Sequence, residues 1–197
     1  LSSDFSDMAL KKIYHYLTRI NNEWGNSRMA KVIFVIAPED FRDEELFMTQ
    51  EEVAKCGHEM WIASHKTGTC MGVHGGIAQS DLLVEDVDTT SFDGVVFVGG
   101  TGSRVFFDDP HAWMLAQAMN GQGKMVAAIC IAPVILANAG LLKKKNATVF
   151  ESEIAAIEAK GAVYSESDVT VDGNLITASG PDQAKQFGLE ICNFLAG

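Results

Sequence analysis

A cysteine set among small apolar residues, in Ala127-Ala-Ile-Cys130-Ile-Ala-Pro133, stands where a strand-like run gives way to a helix start. A thiol on such a tight strand-to-helix turn has the setting of a nucleophile elbow. Ala128 and Ala132 leave room for a sharp backbone turn. The N–H groups and positive end of the new helix are expected to favour thiolate and lower the thiol below its usual value of about 8.5. A plainly buried cysteine is the competing reading of the same local pattern.

Two further segments bear on that thiol. Val98-Gly99-Gly100-Thr101-Gly102-Ser103 offers glycine amides that can approach a ligand and cradle an oxyanion. It is not a dinucleotide loop, because the third glycine of that pattern would fall at Val105. Pro38-Glu-Asp-Phe-Arg-Asp-Glu-Glu45 gathers five carboxylates at the start of a helix. Most are expected to be solvated and favoured by the helix dipole. One directed inward would have to share a proton with the thiol, or stay neutral beside it.

The elements that position these segments alternate. Val32–Ile36, Gly94–Val98 and Met125–Ile129 are continuous apolar runs of the kind buried on both faces of a parallel sheet. His58–Ser64 is another strand, and residues 66–79 a glycine-rich hairpin or excursion. A short strand is expected over Ala147–Phe150 and a hairpin around Asp172-Gly173-Asn174. Helices are expected over Glu44–Cys56, Asp109–Met119, Pro133–Ala139, Ser152–Lys160 and Pro181–Leu195. This order predicts an α/β fold with a mostly parallel central sheet covered on both faces. Chemistry then belongs beyond the carboxyl ends of the strands, where all three segments lie. Two regions are expected: a helical extension over residues 1–28, with an apolar face of Met8, Leu10, Ile13, Leu17 and Ile20, and one domain over 29–197.

Composition narrows the partners. Fifteen basic and 26 acidic residues leave a net charge of −11, which speaks against nucleic acid and anionic membrane surfaces. The longest apolar run contains Pro133 and is too short to cross a bilayer. The first residues lack the order of a secretory signal. Cys56, Cys70, Cys130 and Cys192 show no zinc spacing. A reduced, cytoplasmic protein with one elbow thiol and three bystander cysteines is expected.

Several ordered motifs together resemble the DJ-1/PfpI (ThiJ/PfpI) superfamily: KVIFVIA, FRDEEL, FDGVVFVGG, AAICIAP followed by ILANAGLL, and the closing GAVYSESDVTVDGNLITASGP. The resemblance spans about residues 30–197. It implies a flavodoxin-like three-layer α/β/α sandwich, usually a homodimer. It carries the elbow cysteine onto Cys130 and the glutamate facing it onto Glu45, counted twelve residues back from Gly57. Oxyanion-like amides fall on the Gly99-Gly100 loop, at Gly100, and on Ile131. No metal or cofactor is implied.

The departures from the family pattern concern histidine. Protease-like members carry one directly after the cysteine, where this chain has Ile131, and other members carry one at the position of Phe150. His15, His58, His65, His74 and His111 are expected to be bystanders, with His74 in its glycine-rich loop the nearest to an exception. A peptidase reading, which needs a thiol and a histidine in contact, is therefore placed last. Ahead of it stand a cofactor-free glyoxalase or deglycase acting on reactive carbonyls through Cys130 and Glu45, and then a redox sensor whose Cys130 meets an oxidant.

Overall fold

A computed structural model of the chain describes residues 28–197. The expected N-terminal helix lies outside the described residues. β1 (Lys31–Val35) is apolar and β-branched because it is central, paired on one side with β3 (Glu59–Ser64) and on the other with β7 (Gly94–Phe97). The main sheet has seven strands. Its order is β11 (Val169–Asp172), β12 (Leu175–Ala178), β8 (Met125–Ile129), β7, β1, β3 and β6 (Leu82–Leu83). All neighbours are parallel except β11 and β12. Those two form the expected hairpin, turning at Gly173, where φ is 67°.

Period-two alternation divides the strands between two cores. Ile33, Val35, Val95, Phe97, Val126 and Ala128 face one side. There they meet α2 (Pro110–Gly121), α3 (Pro133–Asn138) and α4 (Ile154–Ala159). Val32, Phe34, Val96, Ala127 and Ile129 face the other, under α1 (Asp43–Lys55) and α5 (Ala184–Leu195). The fold is thus the three-layer α/β/α sandwich that was expected. Among the described residues, no helix is long and apolar enough to cross a membrane.

Local chemistry explains the helix limits. Three acidic residues occupy the first turn of α1, and Gly57, at φ 80°, follows its C-cap. Asp109 caps α2 by accepting from the His111 amide at 2.9 Å, with Pro110 at the first position. α1 and α5 pack closely because position 188 is glycine: a Cβ there would lie 2.8 Å from the Glu52 Cβ. A disulfide between Cys56 and Cys192 joins the same two helices. This corrects the expectation that all four cysteines are free; Cys70 and Cys130 remain so. The 136 residues separating Cys56 from Cys192 hid the pairing from any local reading.

Three smaller features differ from expectation. β2 (Glu39–Phe41) is a strand within the acidic segment, pairing in parallel with β4 (Gly68–Gly72), which hairpins onto β5 (Ile77–Ser80). The strand expected to reach Phe150 ends after β9 (Asn146–Ala147), which pairs with β10 (Val163–Tyr164). The backbone then leaves the strand, because the Thr148 amide donates to Thr177 Oγ1 at 2.9 Å and the Phe150 amide to the Cys130 carbonyl at 2.8 Å. The helices expected from residues 152 and 181 begin with short 3-10 turns.

Candidate active site

From β1 the chain moves to β3 and β6 on one side, then returns to β7 and β8 on the other. The strand order therefore switches between β1 and β7, and a crevice is expected beyond their carboxyl ends. A cavity of about 330 Å³ opens there, small for a ligand site. It is lined by Glu45, Gly100, Cys130 and Ile131, together with Arg42, Arg104 and Phe150.

Cys130 directly follows β8 with φ at 63°, a left-handed conformation that a side chain adopts at a cost. Its amide donates to the Ala178 carbonyl at 2.9 Å, and its carbonyl accepts from Phe150. These bonds hold the turn, while α3 and its Pro133 begin immediately beyond. The residue is 9% exposed, so the thiol is reached through the cavity. The amides of Gly100 and Ile131 both act on the sulfur, and neither has another acceptor among the described residues. Gly100 is at φ 91°, and a Cβ there would collide with the Arg42 amide and the Asp40 carbonyl. Gly99 is equally crowded: a Cβ would lie 2.6 Å from Glu45 Oε2 and 2.7 Å from the Cys130 Cβ. The five sequence-singled residues Cys130, Glu45, Gly99, Gly100 and Ile131 are thereby brought together.

Glu45, in the first turn of α1, is fully buried. Its Oε2 accepts from the Gly99 amide at 2.9 Å, while Oε1 has no well-formed hydrogen bond. The Cys130 thiol faces the carboxyl as a loose donor, close enough to shift both titrations. Burial pushes Glu45 up to about 7, against the thiol, the Gly99 amide and the Arg42 charge. Burial, followed by the charge and hydrogen bonding of Glu45, pushes Cys130 up to about 12, against the two amides. The expected lowering of the thiol is reversed. α3 has only six residues, and desolvation beside a carboxylate outweighs its terminus. Both groups ionising together would place two negative charges in one buried site. Between pH values of about 7 and about 12 the pair therefore holds one proton and one negative charge.

Of the five carboxylates in the acidic segment, two are buried, where sequence reasoning reserved one. Asp43 accepts from the amides of His74 at 2.8 Å and Gly76 at 2.6 Å, fastening the β4–β5 hairpin to α1. That hairpin brings Val73 to the cavity. Among the described residues, no histidine lines the cavity. His58 accepts from the Ala30 amide, His65 pairs with Asp109, His111 lies near Glu85, and His74 lies 3.6 Å from Glu44. His15 lies outside the described residues. Phe150 occupies the position where a family histidine was considered, and it does line the cavity. Arg42, Thr101, Arg104, Ser152 and Pro181 were not anticipated there. Pro181 was within reach of the strand-end rule, since it follows β12. Ser152 was not, because it depends on where the chain goes after leaving β9.

The chain resembles known proteins over most of its length. An uncharacterized protein of Methanocaldococcus jannaschii is 40% identical over 178 residues, covering 89% of this chain and 87% of that one. A deglycase of Pyrococcus horikoshii is 34% identical over 151 residues, covering 77% of this chain and 90% of the deglycase. The crystal structure of a ThiJ/PfpI domain protein from Brachyspira murdochii superposes with a TM-score of 0.84 at 33% identity, covering 85% of this chain and 97% of that one. The DJ-1/PfpI family model matches residues 30–193, and with the elbow cysteine and flavodoxin-like sheet already described, the chain belongs to the DJ-1/PfpI family.

Proposed function

We propose that this protein converts small reactive carbonyl compounds without a cofactor, as a glyoxalase or deglycase, through Cys130 and Glu45. The observation that carries this reading is a thiol under two amides with no other acceptor among the described residues, beside a buried carboxyl that titrates near neutrality. The relatives named deglycase support it. With methylglyoxal, the sulfur attacks the aldehyde carbon while Glu45 takes the thiol proton. The developing alkoxide sits between the Gly100 and Ile131 amides and receives that proton, giving a hemithioacetal. Glu45, again a carboxylate, removes the proton from the carbon bearing sulfur and returns it to the neighbouring carbon. The hydroxyl proton passes to the second oxygen, which leaves a lactoyl thioester on Cys130. Water cleaves the thioester, releasing lactate and restoring the thiol.

The test is lactate formation from methylglyoxal by the full chain, with Cys130→Ala as control. Lactate from the wild type and none from the variant is expected. No lactate from folded protein with Cys130 shown to be reduced would overturn the proposal. The raised thiol also bears on the redox reading, because peroxide attacks thiolate. A thiol held protonated until a substrate arrives should resist mild peroxide, and mass spectrometry of Cys130 after such treatment separates the two readings.

A further inference from the structure

Two guanidinium groups line the same cavity as the thiol. Arg42 stands at the N-cap of α1, with its Nε 2.9 Å from Glu44 Oε2. Arg104 comes from the 3-10 turn after the Gly99-Gly100 loop, with Nη2 2.5 Å from Glu153 Oε1. Glu153 is itself 9% exposed, and the Arg104 guanidinium lies 5.4 Å from the centre of the Phe107 ring. Both arginines are thus held in place and are not freely swinging surface groups. Neither carboxylate uses all the N–H donors of its guanidinium. Side-chain exposures of 33% and 54% leave the remaining donors within reach of a solute in the cavity.

Glu44 and Glu153 each offset one of the two arginine charges, so the attraction for an anion rests on the guanidinium N–H donors left free toward the cavity and not on net charge. Catalysis on a carbonyl explains the amides, the thiol and the carboxyl, but assigns no task to two oriented guanidiniums. Planar forks of this kind match carboxylate and phosphate oxygens.

We propose that Arg42 and Arg104 form an anion-reading subsite, so that the preferred substrates are reactive carbonyl compounds bearing a carboxylate or phosphate. This rests on the carbonyl reading above for the word substrate; the subsite itself does not. The carbonyl sits at Cys130 under the two amides, and the anionic end lies toward the arginines. A neutral compound such as methylglyoxal reacts without using them.

Alkylation of Cys130 tests the subsite without any turnover. Rates with anionic iodoacetate and neutral iodoacetamide are followed at the Cys130 peptide in the full chain. Each is divided by the rate for 2-mercaptoethanol. Both reagents draw on the same thiolate, so their ratio cancels any influence of Arg42 on Glu45 or on the thiol. The normalised ratio should favour iodoacetate by about tenfold at low salt, and Arg42→Gln and Arg104→Gln should each lower it by about fivefold. Lysine at either position should restore part of the preference. Should a variant fail to fold, the wild type decides: the preference should shrink at high ionic strength, and acetate or inorganic phosphate should slow alkylation by iodoacetamide. The stronger of these two protectors identifies the anion class. A normalised ratio near one, or a ratio unchanged in folded Gln variants, overturns the proposal. An iodoacetate preference without lactate formation from methylglyoxal would leave the subsite standing and remove the carbonyl chemistry. Lactate formation without the preference would do the reverse.

Discussion

Glu45→Gln should make the protein more stable at neutral pH while disabling it. Glu45 is fully buried, and its folded value is raised from 4.5 to about 7, chiefly by burial. Below pH 4.5 the carboxyl is protonated both folded and unfolded, and its ionisation costs the fold nothing. As pH rises from 4.5 to about 7, the unfolded chain ionises freely while the folded chain resists, so stability falls. Above about 7 the full cost is present. At 1.36 kcal/mol per pH unit it amounts to about 3 kcal/mol. Glutamine has the same shape, can still accept from the Gly99 amide, and carries no charge to desolvate. The variant should therefore gain about 3 kcal/mol over the wild type at pH 8 and almost nothing at pH 4.5. For a chain of 197 residues, that corresponds to a rise in Tm of roughly 6–12 °C at the higher pH. Thermal and urea unfolding at the two pH values, on reduced protein, measure it. A gain of equal size at both pH values would refute the argument, because it would place the cause in packing and not in ionisation. A variant less stable than wild type at pH 8 would also refute it.

Other consequences are as direct. If Glu45 acts as a base, kcat/KM for methylglyoxal should rise with pH to a plateau above about 7; a rate that falls over that range contradicts the role. Gly99→Ala should cost about 2 kcal/mol and most of the activity, since the new Cβ would meet Glu45 Oε2, the Cys130 Cβ and the Ile129 carbonyl, the last at 2.9 Å. Near-normal Tm and rate would show that the site is looser than described. Cys56→Ser should lower stability by up to about 5 kcal/mol, the chain-entropy limit for a loop of 136 residues, while leaving Cys130 chemistry intact. Free thiols at Cys56 and Cys192 in non-reduced protein, or an unchanged Tm, would count against that bridge.

What was legible in the sequence was carried by short-range pattern. Lys31–Val35, Gly94–Phe97 and Met125–Ile129 announce buried parallel strands because a strand covered on both faces has no polar side to show. The same rule located the loops beyond their ends, and the small residues around Cys130 marked the elbow whose φ is 63°. Tertiary structure decided everything that depends on which distant groups share a buried volume. It selected Glu45 and Asp43 from five similar carboxylates, one for the thiol and one for the hairpin. It joined Cys56 to Cys192 and brought Arg42 and Arg104 to one cavity from separate loops. It also reversed the expected titration of Cys130. A helix start is a local feature that sequence displays, whereas desolvation and a neighbouring charge exist only once the chain has closed around them.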